Sequence, residues 1–168
     1  AKKVEEIFYE GYGPGGIAVL VEVLTDNNNR AAANVRNIFS KTGGNLGATG
    51  SVSYMFKRKG VIEYDAEKVN EDELMEAGLE AGAEDIASDD GIITVTTDPA
   101  DFEKVLEFLQ NKGYESVSAG ISMVPDTYST LDVDTTRKVL KLIDRLEEDD
   151  DVQNVYSNID IPDGFEEE

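Results

Sequence analysis

The sequence predicts an α+β fold built as two small sheet-and-helix sandwiches, the second inserted into the first. Three observations carry this. Apolar residues switch repeatedly between a two-residue and a 3.6-residue period, so short strands and amphipathic helices alternate along the chain. Residues 66–125 read as helix, hairpin, helix, strand, a compact set with its own core. The last helix and strand, within 134–161, lack partners nearby in sequence, while the first sixty residues leave a half-finished two-layer sheet. The expected units are therefore 1–65 plus 126–168, and 66–125. At 168 residues and 40% hydrophobic content there is enough apolar material for two small cores.

The elements follow in order. Residues 4–10 are a short mixed segment, an edge strand or a linker. Gly11, Gly13 and Gly16 spell G-x-G-x-x-G, but Pro14 sits inside the pattern and a strand follows it, so a turn with positive φ angles is expected rather than a dinucleotide loop. Residues 17–24 form a β-branched central strand. Asp26-Asn27-Asn28-Asn29 offers capping oxygens for a helix whose inner face is Ala31, Val35, Ile38 and Phe39, and Thr42-Gly43-Gly44 ends it. Val52, Tyr54 and Phe56 alternate as a strand over 51–57, paired through a turn at Lys59-Gly60 with a second strand over 61–64. The segment 11–56 thus reads as a βαβ-like unit.

Asn70 caps a helix through Ala81 with Leu74, Ala77 and Ala81 inward. Asp89-Asp90-Gly91 between two β-rich runs marks a hairpin. Pro99 and Asp101 open a helix striped by Phe102, Val105, Leu106 and Leu109, and Gly113 stops it. Val117, Ala119, Ile121 and Met123 alternate as a strand. After a connection over 126–133, Asp134 caps a final helix with Val139, Leu142, Ile143 and Leu146 inside and Arg137, Lys138, Lys141 and Arg145 on its outer faces. Acidic residues 147–151 are expected as solvated loop, 152–161 as the last strand, and Pro162 onward as a tail. Each unit would be a small sheet with two helices on one face, a ferredoxin-like arrangement.

Composition narrows the chemistry. The chain holds no cysteine and no histidine, which removes disulfides, thiolate nucleophiles, histidine-based triads and histidine metal sites. Neither the Asp89-Asp90 pair nor residues 147–151 follow the EF-hand order, and no P-loop is present. No enzyme, cofactor or metal is expected. No apolar stretch approaches the roughly 18 residues of a membrane span, so a soluble, cytoplasmic chain without membrane contact is expected. The opening Ala-Lys-Lys has neither an initiator Met nor a signal-peptide core, which suggests a processed or trimmed chain.

Formal net charge is −21, unevenly spread. Residues 1–60 hold eight Lys/Arg against five Asp/Glu, a net of +3, and residues 61–168 hold seven against thirty-one, a net of −24. Within the first part, Arg30, Asn34, Asn37 and Lys41 fall in one narrow helical stripe, Gly43 and Gly44 promise exposed amides, and Lys57, Arg58 and Lys59 extend a strand. These nine residues form the candidate phosphate-binding, nucleic-acid-facing set.

The stretch from Tyr9 to Ile62, YEGYGPGGIAVLVEVLTDNNNRAAANVRNIFSKTGGNLGATGSVSYMFKRKGVI, with EAGAEDI at 80–86 and NVYSNID at 154–160, resembles the YebC/PmpR family, whose eukaryotic relatives are mitochondrial translational activators of cytochrome c oxidase. The likeness runs over nearly the whole chain. It implies a three-domain protein in which the third domain is inserted in the second; the basic helical first domain of that family is absent from this chain. It also implies a non-enzymatic regulator of gene expression. The favoured role is a ribosome-associated translation factor that relieves stalling, with the ribosome, rRNA or tRNA as partner and basic ribosomal proteins facing the acidic domain. The alternative is a regulator bound to promoter DNA, and a third option is a module that binds only proteins or a small effector.

Overall fold

The computed structural model describes residues 3–161 and 165; Ala1, Lys2 and most of the expected tail beyond Pro162 lie outside the described residues. The elements run β1 (Glu5–Tyr12), β2 (Ala18–Thr25), α1 (Asn28–Lys41), β3 (Asn45–Leu46), β4 (Phe56–Asp65), α2 (Glu71–Ala81), β5 (Asp85–Asp89), β6 (Ile92–Thr97), α3 (Phe102–Asn111), β7 (Ser118–Pro125), β8 (Ser129–Thr130), α4 (Val133–Glu147), β9 (Val152–Ser157) and β10 (Ile159–Asp160). Mixed helix and antiparallel sheet make the chain α+β. It forms two compact units, one of residues 1–56 with 125–168 and one of residues 57–124.

In the first unit the sheet order is β3-β1-β2-β9. Residues 5–10 of the segment 4–10 lie in β1, which pairs along its whole length with β2, Tyr9 opposite Val21, in an antiparallel hairpin and with β3 only at Gly11 and Tyr12. This corrects the βαβ-like expectation for 11–56, since the strand preceding α1 pairs with the one before it. Gly15 and Gly16, at φ 73° and 79°, make the turn between them. Asn27 caps α1 by accepting the Arg30 N–H at 3.0 Å. Val19, Val21 and Val23 meet Ala31, Val35 and Phe39 of α1 and Val139, Leu142 and Leu146 of α4 in one buried core. The cap of α4 is Asp132, not Asp134: its carboxylate accepts the Thr135 N–H at 2.7 Å and the helix begins at Val133. The final strand breaks at Asn158, whose buried side chain accepts the Ala18 N–H at 3.0 Å.

The second unit runs β4-α2-β5-β6-α3-β7 with sheet order β5-β6-β4-β7, the βαββαβ ferredoxin-like topology. Asn70 caps α2, and Asp90 and Gly91 take φ 49° and 79° in the hairpin between β5 and β6. Ile62, Tyr64, Leu74, Ile93, Val95, Val105 and Leu109 fill the core. The strand β7 lies at the sheet edge, and there Val117 and Ile121 stay exposed although their alternation suggested a core face.

The largest departure lies between the units' sequences. Residues 51–57 and 61–64 are not two strands joined by a turn: β4 is one strand from Phe56, paired with β6 from Gly60 to Asp65, so residues 57–65 group with 66–124. The cause is Glu10. The residue is only 4% exposed, and its carboxylate accepts the N–H groups of Gly50 at 2.8 Å, Val52 at 3.0 Å and Ser53 at 2.6 Å. These donors are thereby taken from any sheet ladder, and residues 53–55 coil into a short 3₁₀ turn. The alternation survives only as orientation, with Val52 and Phe56 buried and Tyr54 exposed.

Burial pushes the Glu10 carboxyl up, but the three backbone donors outweigh it and hold the group below its usual range. Glu10→Gln should leave at least the Gly50 N–H without its acceptor and cost about 1 kcal/mol in urea unfolding at pH 7. Because the folded carboxyl titrates lower than the unfolded one, its contribution is complete above roughly pH 4.3 and disappears as pH falls through the folded value. The stability gap between wild type and Glu10→Gln should therefore narrow on acidification.

Candidate nucleic-acid interface

The helix α1 presents Arg30, Asn34, Asn37 and Lys41 to solvent, as the 3.6-residue period requires once Ala31, Val35 and Phe39 are buried. The two ends of this stripe differ electrostatically. At the N-terminal end the Arg30 guanidinium donates to both oxygens of Asp151, at 3.0 and 3.2 Å, and lies 3.5 Å from Asp26. The hydrogen bond from Arg30 to Asp151 and its charge raise the Arg30 pKa further. Arg30 and Asn34 share a hollow with Asp149, Asp150 and Asp151, so residues 147–151 are not merely solvated loop: Asp151 is held against α1.

At the C-terminal end the field reverses. Lys41, Thr42 and Gly43 line a cleft of about 560 Å³ with Lys138, Lys141 and Arg145 of α4. The three cations of α4 recur at i, i+3 and i+7, one position before the buried Val139, Leu142 and Leu146 and so about 100° round the helix from them. All four cationic side chains belong to exposed residues, and among the described residues none forms a salt bridge. Lys138 also helps, behind the stronger hydrogen bonds from Thr135, to hold the Asp132 carboxyl below its usual range. Among the described residues, no acidic residue lines the cleft.

The turn that shapes the cleft follows from local rules. Thr42 Oγ1 donates to the Ile38 carbonyl at 2.7 Å, Gly43 takes φ 87°, and the Gly44 N–H returns to the Phe39 carbonyl at 2.8 Å. Gly44 therefore does not offer its amide to a ligand. It is there because a Cβ would strike the Tyr12 carbonyl. Gly43 remains at the cleft wall.

Lys57, Arg58 and Lys59 belong to the second unit. As consecutive strand residues they alternate between faces, with Arg58 opposite to the other two, and Lys59 is paired to Glu84 at 2.8 Å. Of the nine residues singled out from sequence, the structure thus brings Lys41 and Gly43 together with three cations that were left out. Lys138, Lys141 and Arg145 were visible as a helix face, but their neighbour α1 is more than ninety positions away in the chain. Among the described residues there is no group of three or more metal-ligating side chains, and no helix is long and apolar enough to cross a membrane.

The arrangement is that of a two-unit α+β protein with a cationic cleft and, among the described residues, no metal-ligating cluster. The sequence profile of the TACO1/YebC second and third domain matches residues 4–159, and the chain belongs to this family. It is 75% identical over 166 residues to a protein of Treponema denticola, covering 99% of this chain and 67% of that one. Identity to a Treponema pallidum protein is 73% over 94% of this chain, and to a Syntrophus aciditrophicus protein 55% over 95%, each covering 64% of the relative. All three are named probable transcriptional regulatory protein. The chain thus spans about two thirds of the length of these relatives. A crystal structure of a conserved hypothetical protein from Aquifex aeolicus superposes with a TM-score of 0.90 at 44% identity, covering all of this chain and 70% of that one.

Four like charges around one cleft repel each other, so neutralising one should not destabilise the fold. Lys141→Gln should change unfolding free energy by no more than about 0.5 kcal/mol, with any change tending to stabilise. Chemical denaturation at low and high salt checks this, since any gain should shrink as salt screens the repulsion.

Proposed function

We propose that this chain is the phosphate-gripping portion of a non-enzymatic regulator of gene expression, acting in the cytoplasm as a ribosome-associated translation factor that relieves stalling and binds rRNA or tRNA. The observation that carries the reading is the cleft of Lys41, Lys138, Lys141 and Arg145, free of acidic lining among the described residues, in a chain of net charge −21. A concentration of unpaired cations in an acidic protein is costly in self-repulsion unless a polyanion relieves it. The cleft is compact, and Lys ammonium groups and one Arg meet phosphates without reading bases. That suits a bend or bulge in folded RNA, recognised by shape and backbone.

The second unit holds six Lys/Arg against seventeen Asp/Glu. That charge disfavours a long duplex and fits basic ribosomal proteins as its partner. The second reading, binding of promoter DNA, is favoured by the relatives' names as probable transcriptional regulatory proteins.

Binding of this chain to a folded ribosomal RNA fragment, measured against potassium chloride, should give a log–log slope between about −3 and −4, as expected for roughly four phosphate contacts. Lys141→Glu with Arg145→Glu should lower affinity at least about tenfold and flatten that slope by nearly two. A duplex competing as well as the RNA at equal phosphate concentration would favour the promoter reading. A slope near zero with both would remove nucleic acid as the ligand.

A further inference from the structure

The polar stripe of α1 ends in two opposite environments, and the acidic one is built into the fold. Asp151 is held by its backbone: its carbonyl accepts the Leu24 N–H at 2.8 Å, and its own N–H donates to Asp149 Oδ1 at 2.9 Å. The Asp151 side chain is 16% exposed while the Arg30 side chain is 49% exposed, so the anion is the fixed partner and the cation is drawn to it. A phosphate approaching Arg30 would also meet Asp149 and Asp150 in the same hollow. Arg30 and Lys41 are roughly 16 Å apart along the helix, about two Debye lengths at physiological salt. The acids therefore silence Arg30 without weakening the cationic cleft.

We propose that Asp151 is a specificity-determining residue: by holding Arg30 it ends the phosphate-binding track on α1 and confines nucleic acid to the Lys41 end. This rests on the phosphate-binding reading above. In its absence the same helix face would offer Arg30, Asn34, Asn37 and Lys41 as one continuous track and would take up longer backbone without regard to shape.

The test uses the full chain, a folded ribosomal RNA fragment, and fluorescence anisotropy across a salt series. Lys141→Glu is the control for the underlying reading. It should weaken binding about tenfold, whereas an unchanged affinity would overturn both that reading and this inference. Given that loss, Arg30→Ala should stay within about twofold of wild type. Asp151→Asn should bind several-fold tighter with a slope steeper by about one, and adding Arg30→Ala to it should cancel the gain.

A tenfold loss in Arg30→Ala would show Arg30 to be a contact and overturn the inference while leaving the cleft intact. No gain in Asp151→Asn, or a gain that persists in the double variant, would overturn it equally, marking Asp151 as a structural tie or a source of diffuse repulsion. Should Asp151→Asn fail to fold, Arg30→Ala alone decides.

Discussion

The pairing of β2 with β9 is the constraint on which the rest depends. Val21 lies opposite Val155 and Val19 opposite Ser157, so the central strand of the first sheet finds its second neighbour only after the chain has completed the unit of residues 57–124. The helix preceding β9 must then cover the sheet face that α1 leaves open. Val139, Leu142 and Leu146 bury against the same valines that receive Val35 and Phe39, and each such side chain contributes roughly 1.5–3 kcal/mol on burial. The position of the α4 cations beside Lys41 follows from this apolar packing. The cationic cleft is a by-product of where the core places the two helices.

The buried polar groups of the first unit serve this closure rather than the cleft. Asn158 accepts the Ala18 N–H at the point where the last strand breaks, and Glu10 gathers three N–H groups from a segment forty positions away. Both satisfy backbone donors that burial would otherwise leave unpaired. Each also fixes where a strand stops, Asn158 by ending β9 and Glu10 by delaying β4 to Phe56.

What was legible in the sequence was local. Helix faces, the Asn70 cap, a cap for α1 within Asp26–Asn29 and the Asp90-Gly91 turn all depend on residues within a few positions of one another, and they read correctly. The cap expected at Asp134 missed by two positions because aspartates at 132 and 134 are both chemically able to cap; it is the Asp132 carboxylate that accepts the Thr135 N–H. Residues 51–55 were misread as strand because their apolar alternation is real while the carboxylate that captures amides of this segment comes from β1. The site divided in the same way. Lys41 was found from its helix phase, but Arg30 looked equivalent to it, and only tertiary structure shows one facing Asp151 and the other Lys141.

Charge on this protein therefore has to be argued at the scale of a Debye length, not of the chain. A net −21 describes long-range repulsion that physiological salt largely screens beyond about 8 Å, whereas the lining of one cleft sets the field a bound phosphate feels. That field also comes without help from helix dipoles: Lys41 is the last residue of α1 and Arg145 lies in the last turn of α4, where the backbone pole is negative and disfavours anions. The side-chain cations must overcome that pole. Three of them are lysines, hydrated point charges on flexible stems that tolerate many phosphate geometries. A site of this kind measures how many phosphates a surface can bring into a small volume, so discrimination between nucleic acids has to come from the curvature of the backbone and from where the cationic track is made to end.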